Sequence, residues 1–455
     1  MTFSALDSAL VGPLFATKRM RAIFSDEARL AAMLKAEAAL ARAEARHGLA
    51  PDGLAAAIEA IDPVSLDIAA LGRDTALAGV PVIPFVKAIQ KRLPKDLESA
   101  FHKGSTTQDI ADTTLVLQMR EGFEALRQDL APTLEALAEL AGRHRDTLCV
   151  GRTYGQHAAP LSFGFKAAVW MAGIADVAQR LPEVRARSLL ASLGGPVGTL
   201  AGLREHGPAV QDAFAAELGL GAPPLSWHTR RASVAEAGCW LATLIGALGK
   251  MAADVAHLAS TEVGEVSEPY TPGRGGSSAM PHKRNPVSAT VILAAAEAAP
   301  GLASTLLASM TAAHERPAGA WHAEWHALPQ LFGLASGALA EARRLAEGLE
   351  VDPGRMRANL EITRGLLYAD AVASALAPAL GRAEAHHFVE DAATQVRQSG
   401  QSLREVVEAH PGLPAGFDPA RLPAAFDPGP AVAAASRYVD RAVAAVRPVV
   451  QALGE

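Results

Sequence analysis

Residues 109–147, DIADTTLVLQMREGFEALRQDLAPTLEALAELAGRHRDT, decide the fold class. Phe123, Leu126, Leu130, Leu134 and Leu137 recur at steps of three and four, which stacks them on one helical face. Pro132 falls inside this stripe without changing its phase, so it predicts a kink and not an end. A helix of this length, about 50 Å at a rise of about 1.5 Å per residue, cannot bury its apolar face alone. It predicts a bundle.

The flanking sequence has the same character. In FSDEARLAAMLKAEAALARAEARHG (24–48), Ser25 suits an N-cap, Asp26 and Glu27 suit the first turn, and Leu30, Met33 and Leu34 begin an apolar stripe. Arg46, His47 and Gly48 close it. Further helical segments are expected at about 161–190, 229–264, 287–313 and 326–348, with no convincing alternation of a strand type. Turn signals crowd into HPGLPAGFDPARLPAAFDPGP (410–430). The expected architecture is all-α: an N-terminal helical domain over 1–105, a long central bundle over 106–350, and a C-terminal helical domain over 351–455.

Bulk properties narrow the function. The 455 residues are 50% hydrophobic with a net charge of -6, which argues against nucleic acid as a partner. Cys149 and Cys239 show no metal or redox spacing, as expected of a reduced, cytoplasmic protein. The start, MTFSALDSALVGPLFATKRM, has the reverse charge order of a secretory leader. The longest apolar runs are interrupted by Lys250, Asp254, Glu297 and Pro300, so no membrane span is expected.

Three polar stretches break the helical pattern: HKGSTTQDIADT (102–113), GRTYGQHAAP (151–160) and GRGGSSAMPHKRNPVSA (273–289). Each precedes a helix. Thr107 and Asp109 suit a helix start, Pro160 suits a first turn, and Asn285-Pro286 reads as N-cap and N1. Helix N-termini attract anions, so three converging ends would form a pocket for several carboxylates. Gly275 and Gly276 permit motion, and Ser277 stands six residues before Lys283. With loop N–H groups and an ammonium to stabilise its alkoxide, such a serine can exchange a proton with carbon beside a carboxylate.

Other features read as structural. SLGGPVGTLAG (192–202) has no preceding strand, and the Gly/Ser loop at 273–289 lacks a P-loop ending. WHAEWH (321–326) places His322, Glu324 and His326 together, but in the wrong order for a zinc helix; no metal is expected. His386-His387 fit an exposed pair.

Taken together, the three stretches resemble the signature regions of the fumarase/aspartase superfamily, with GSSAMPHKRNP (276–286) the most specific. The resemblance covers most of the chain and implies an all-α homotetramer in which three chains share each active site. It implies Ser277 as catalytic base, His157 as candidate acid, and Lys283 and Asn285 as substrate binders. His102, Thr106, Thr107 and Gln156 would line carboxylate sites, joined by Arg316 of HERPAGAWHAEWHALP (314–329). No cofactor is implied. Within the superfamily the chain is most similar to a cycloisomerase branch, in which a substrate carboxylate adds to a double bond of the same molecule. A lyase releasing fumarate and a non-catalytic relative are the alternatives. Thr153-Tyr154 stands where the lyases carry Thr-His, and Arg231-Ala232 where relatives carry Arg-Asp, which leaves the role of Arg231 open.

Overall fold

A computed structural model describes residues 3–276, 279–280, 283–414, 417–418 and 420–454. Helix α1 (Asp26–Ala45) starts where Ser25 accepts from the Ala28 N–H at 3.2 Å, and Gly48 closes it at φ 68°. Helix α2 (Thr107–Arg143) is continuous over 37 residues, with Pro132 inside it. That is about 55 Å. Phe123, Leu126, Leu130, Leu134 and Leu137 are all fully buried, and truncating any of these leucines to alanine would cost about 2–5 kcal/mol.

The chain then forms a hairpin, β1 (Leu148–Thr153) with β2 (Gln156–Ser162), followed by α3 (Phe163–Ala178). Helix α4 (Ala232–Leu258), a short strand β3 (Val266–Ser267), α5 (Val287–Ser309), α6 (Ala320–Gly348) and β4 (Glu350–Val351) follow, with β3 and β4 paired antiparallel. Four helices dominate the C-terminal segment: α7 (Ala369–Leu380), α8 (Arg382–Ser399), α9 (Leu403–Ala409) and α10 (Gly429–Gly454).

The all-α expectation holds, with local corrections. The segment expected as one helix over 161–190 is split, Phe163–Ala178 and Leu181–Ser188 being separate. Pro160 does not open a helix. It lies in β2, and Ser162 caps α3 by accepting from the Phe165 N–H at 3.3 Å. Helix α6 starts earlier than expected and includes WHAEWH. Two helices, α4 and α5, are also long and apolar enough to cross a membrane by length and composition, despite their interruptions; 56% and 33% of their most apolar windows are buried within the fold.

The described chain divides into two compact units. The first comprises Met1–Leu130, Asp176–Gly249 and Val291–Glu341. Its core sets Phe123 edge-on to Trp240 and Phe332, at 5.7 and 5.0 Å between ring centres. It also buries an ion triad: the Arg231 guanidinium bonds both oxygens of Asp112, at 2.8 and 3.1 Å, and both of Glu324. Arg231, whose role the sequence left open, is therefore a core anchor. The second comprises Ala131–Ala175, Lys250–Thr290 and Ala342–Glu455. Its C-terminal helices enclose Val372, Leu376, Phe388, Val396, Leu403 and Val407.

Candidate active site

The first polar stretch lies in the first unit. His102 adopts a left-handed φ of 58°, a costly conformation for a residue with a side chain. Its Nδ1 lies 2.6 Å from Glu37 Oε1, on the buried face of α1. Burial alone would lower the His102 pKa, but the Glu37 charge and hydrogen bond outweigh it and the net shift is upward. Seven residues along α1, the buried carboxyl of Glu44 is pushed up to about 8 by burial and by Glu37, against a smaller opposing pull from Lys103. Glu44 is thus mostly neutral at pH 7, and the charges that raise His102 are those of Glu37 first and Asp109 second.

At the start of α2, Asp109 is fully buried and organises its surroundings. It accepts from the N–H groups of Thr106, Gly194 and Gly195 at 2.8–2.9 Å and lies 2.6 Å from His228 Nε2. The glycine-rich stretch 192–202 is therefore docked onto Asp109, in keeping with its structural reading. Thr107 is the first residue of α2. Arg316 Nη2 donates to Thr106 Oγ1 at 3.0 Å and its Nε to Gln108 Oε1 at 3.0 Å. Thr106 and Arg316, 210 residues apart in sequence, are thus brought into contact.

In the second unit, the second stretch is the β1–β2 hairpin. Arg152 faces His157, and Thr153 faces Gln156, across a two-residue turn at Tyr154-Gly155. Both turn residues have positive φ, 53° and 79°, the geometry that matches the twist of a tight hairpin. Tyr154 is fully exposed at its tip. The turn end of the hairpin is pinned by Arg152, whose Nη1 bonds Glu265 Oε2 at 3.0 Å, while Asn359 Nδ2 donates to Glu265 Oε1 at 2.8 Å. His157 is half-buried; its Nδ1 is fully buried and has no partner among the described residues. Burial, then the Arg152 charge, lower its pKa, with Glu265 pulling weakly the other way. Both lowering effects favour the neutral imidazole. Burial pushes the Cys149 thiol up to about 12, so it is inert.

The third stretch departs from its reading at the helix start. Asn285 does not cap α5. Its backbone N–H and its Nδ2 both donate to the Gly275 carbonyl, at 2.9 and 3.1 Å. Gly275 sits at φ 69°, and a Cβ there would meet Asn285 O at 2.6 Å, so only glycine fits. The cap comes from Glu268, whose carboxylate accepts from the Ser288 and Ala289 N–H groups at 3.0 and 2.9 Å. The α5 N-terminus is therefore filled by the protein's own anion. Lys283 is exposed, and with Glu268, Arg274 and Asn285 it borders a recess of about 240 Å³. Ser277 lies outside the described residues.

WHAEWH is no ligand cage. Glu324 is committed to Arg231, His322 Nε2 lies 3.3 Å from the Gly79 carbonyl, and no group of three His, Cys, Asp or Glu side chains suited to a metal occurs among the described residues. His386 and His387 are exposed and pair with Glu390. Sequence reasoning missed Glu37, His228 and Glu268. Glu37 and Glu44 could have been noticed, since they put two carboxylates into an apolar helical stripe. Glu268 and His228 act across 20 and 119 residues and leave no local pattern.

Residues 15–301 match a family described as "Lyase", and residues 365–442 match "Adenylosuccinate lyase C-terminus". The chain belongs to the fumarase/aspartase superfamily of lyases. Within it, the chain is 46% identical to the 3-carboxy-cis,cis-muconate cycloisomerase of Pseudomonas aeruginosa, covering 94% of this chain and 95% of that one. It is 44% identical to the nitrosuccinate lyase of Streptomyces davaonensis, covering 97% and 95%. The crystal structure of the 3-carboxy-cis,cis-muconate lactonizing enzyme from Pseudomonas putida superposes with a TM-score of 0.92 at 43% identity, covering 98% of this chain and all of that one.

Proposed function

We propose that this chain is a 3-carboxy-cis,cis-muconate cycloisomerase, closing its substrate to 4-carboxymuconolactone in the breakdown of aromatic acids. The attacking group is the substrate's own carboxylate, ionised at neutral pH, so the enzyme need not activate it. One C–O bond forms, the double bond is consumed, and the electron pair moves to the carbon beside a second carboxylate. That carbon then takes one proton. Ser277 is assigned to this proton, delivering it in the lactonising direction and removing it in reverse. The dianionic intermediate needs fixed donors more than acid. Lys283, Arg316 with Thr106, and His102 supply them, Thr107 and Gln156 border the carboxylate sites, and Asn285 holds the loop through Gly275. No metal or organic cofactor takes part in the scheme.

The observation that carries the reading is His157, whose buried Nδ1 has no carboxylate partner among the described residues and whose charged form burial and Arg152 disfavour. A lyase that expels an amine benefits from a strong acid. A cycloisomerase needs only an oriented imidazole. The test is an ultraviolet assay of 3-carboxy-cis,cis-muconate consumption, run beside nitrosuccinate, adenylosuccinate and argininosuccinate. Turnover of any of the latter three in preference to the muconate would overturn the assignment.

The site belongs to a cytoplasmic homotetramer in this proposal, each pocket drawing its three stretches from three chains. The length of α2 supports this: the first stretch spans its start and the second follows its end. Two copies packed in opposite directions bring such ends together.

A further inference from the structure

Gln108 is the second residue of α2, fully buried, and no role for it follows from the scheme above. Its amide has a forced orientation. Nε2 donates to Asp112 Oδ2 at 3.2 Å and to the His228 carbonyl at 3.0 Å. Both are acceptors only, so Oε1 must point the other way. A flipped amide would set its oxygen against two oxygens and its NH2 against a guanidinium. Oε1 instead accepts from Arg316 Nε at 3.0 Å.

Asp112 is itself bonded by Arg231 through both oxygens and by Trp321 Nε1 at 2.9 Å, and Arg231 is clamped on its other side by Glu324. A chain of buried bonds thus runs from the core ion triad through one amide to an exposed arginine. Arg316 receives Gln108 on Nε, and Thr106 Oγ1 and the Pro196 carbonyl on Nη2. Its Nη1 has no hydrogen-bond partner among the described residues. A guanidinium fixed along one edge presents its remaining N–H groups in a set direction, which suits a carboxylate.

We infer that Gln108 is a positioning residue for substrate, relaying the fixed geometry of the Arg231–Asp112–Glu324 triad to Arg316 so that its free edge meets a substrate carboxylate. This rests on the proposed role of Arg316. Gln108 never touches substrate; it acts through the guanidinium. Losing one hydrogen bond to a charged group should matter only while that group is present.

The experiment is a double-substitution cycle with a structural arm. Gln108→Met keeps the length and removes the acceptor, and Asp112 keeps its Arg231 and Trp321 bonds. Alone, it should raise KM for 3-carboxy-cis,cis-muconate by about 10-fold, with kcat within about 3-fold. Added to Arg316→Met, it should raise KM by less than about 2-fold further. A merely structural role would multiply independently of Arg316, and that outcome overturns the inference. Crystals of Gln108→Met provide the second arm, which needs no turnover: the Arg316 side chain should leave Thr106. Arg316 still bonded to Thr106 through the same edge would also overturn it. Gln108→Leu replaces Gln108→Met if the latter does not fold. Absence of wild-type turnover of the muconate would sink the functional reading, while the crystallographic arm would still decide the role of Gln108.

Discussion

Replacing Glu44 with glutamine should change how stability depends on pH. Glu44 lies on the buried face of α1, its Oε1 has no partner, and its pKa is pushed up to about 8 by burial and by Glu37. In the unfolded chain it titrates as an ordinary carboxyl, at about 4.3. Because the folded value is the higher one, the native state holds the proton more tightly. Stability from this group is therefore complete below about pH 4 and drains away as pH rises through the window ending near 8. At about 1.4 kcal/mol for each pH unit, the window corresponds to an upper limit of about 5 kcal/mol. The opposing pull of the nearby Lys103 ammonium is already contained in that value, and local relaxation brings the observed loss below this limit. Glu44→Gln mimics the protonated carboxyl and has no such drain. The measurement is urea denaturation of both proteins at pH 5.5, 7.0 and 8.5, at one fixed subunit concentration. The wild type should lose ground to the variant by about 1 kcal/mol or more at each step. Parallel pH profiles would mean that Glu44 ionises normally in the fold.

Three further outcomes are expected. Ser277→Ala should lower kcat by at least about 10³-fold with KM little changed; retention of more than about a tenth of kcat would remove it from proton transfer. Glu268→Ala should cost about 1–2 kcal/mol by uncapping α5, with sulfate recovering part of the loss, as thermal melts with and without sulfate would show. Equal mixtures of Thr107→Asp and Ser277→Ala subunits, refolded together, should regain activity in about a quarter of sites if different chains supply the two stretches. No recovery, with wild type refolding well, would refute shared sites.

The bundle is legible in the sequence because α2 keeps one phase of buried apolar residues along its length, even across Pro132. The hairpin at 148–162 is not legible. GRTYGQHAAP shows no apolar alternation, and its register depends on Tyr154 taking a positive φ that aromatic residues do not advertise. Asn285-Pro286 misleads for a different reason. Asn is a good N-cap by type, but here its amide is spent on Gly275 and a carboxylate from before the loop takes its place. Local propensity supplied a plausible cap; a tertiary contact supplied the real one. Candidate site residues can be named from the sequence by type, whereas the partners that set charge states, Glu37 above all, emerge only when α1 meets the first stretch.

This changes how carboxylates are recognised. Three helix N-termini looked able to bind three carboxylates. Yet Glu268 fills the N-terminus of α5, Asp109 takes the Thr106 N–H at α2, and the second stretch is a hairpin. Backbone dipoles are largely spent on the protein's own anions, so side-chain cations must carry the recognition. Arg316 and His102 are the candidates in the first unit. The His102 charge persists above the ordinary histidine range because Glu37 outweighs the effect of burial. Binding should therefore be strongest while His102 is protonated. KM should rise as pH climbs through the raised His102 pKa, with kcat following a separate course. Glu37→Gln removes the charge that raises this pKa and leaves burial to lower it, so the same rise in KM should begin at a lower pH. Steady-state profiles from pH 6 to 9 for both proteins would show the displacement. Superimposable KM profiles would mean that the His102 charge plays no part in holding substrate.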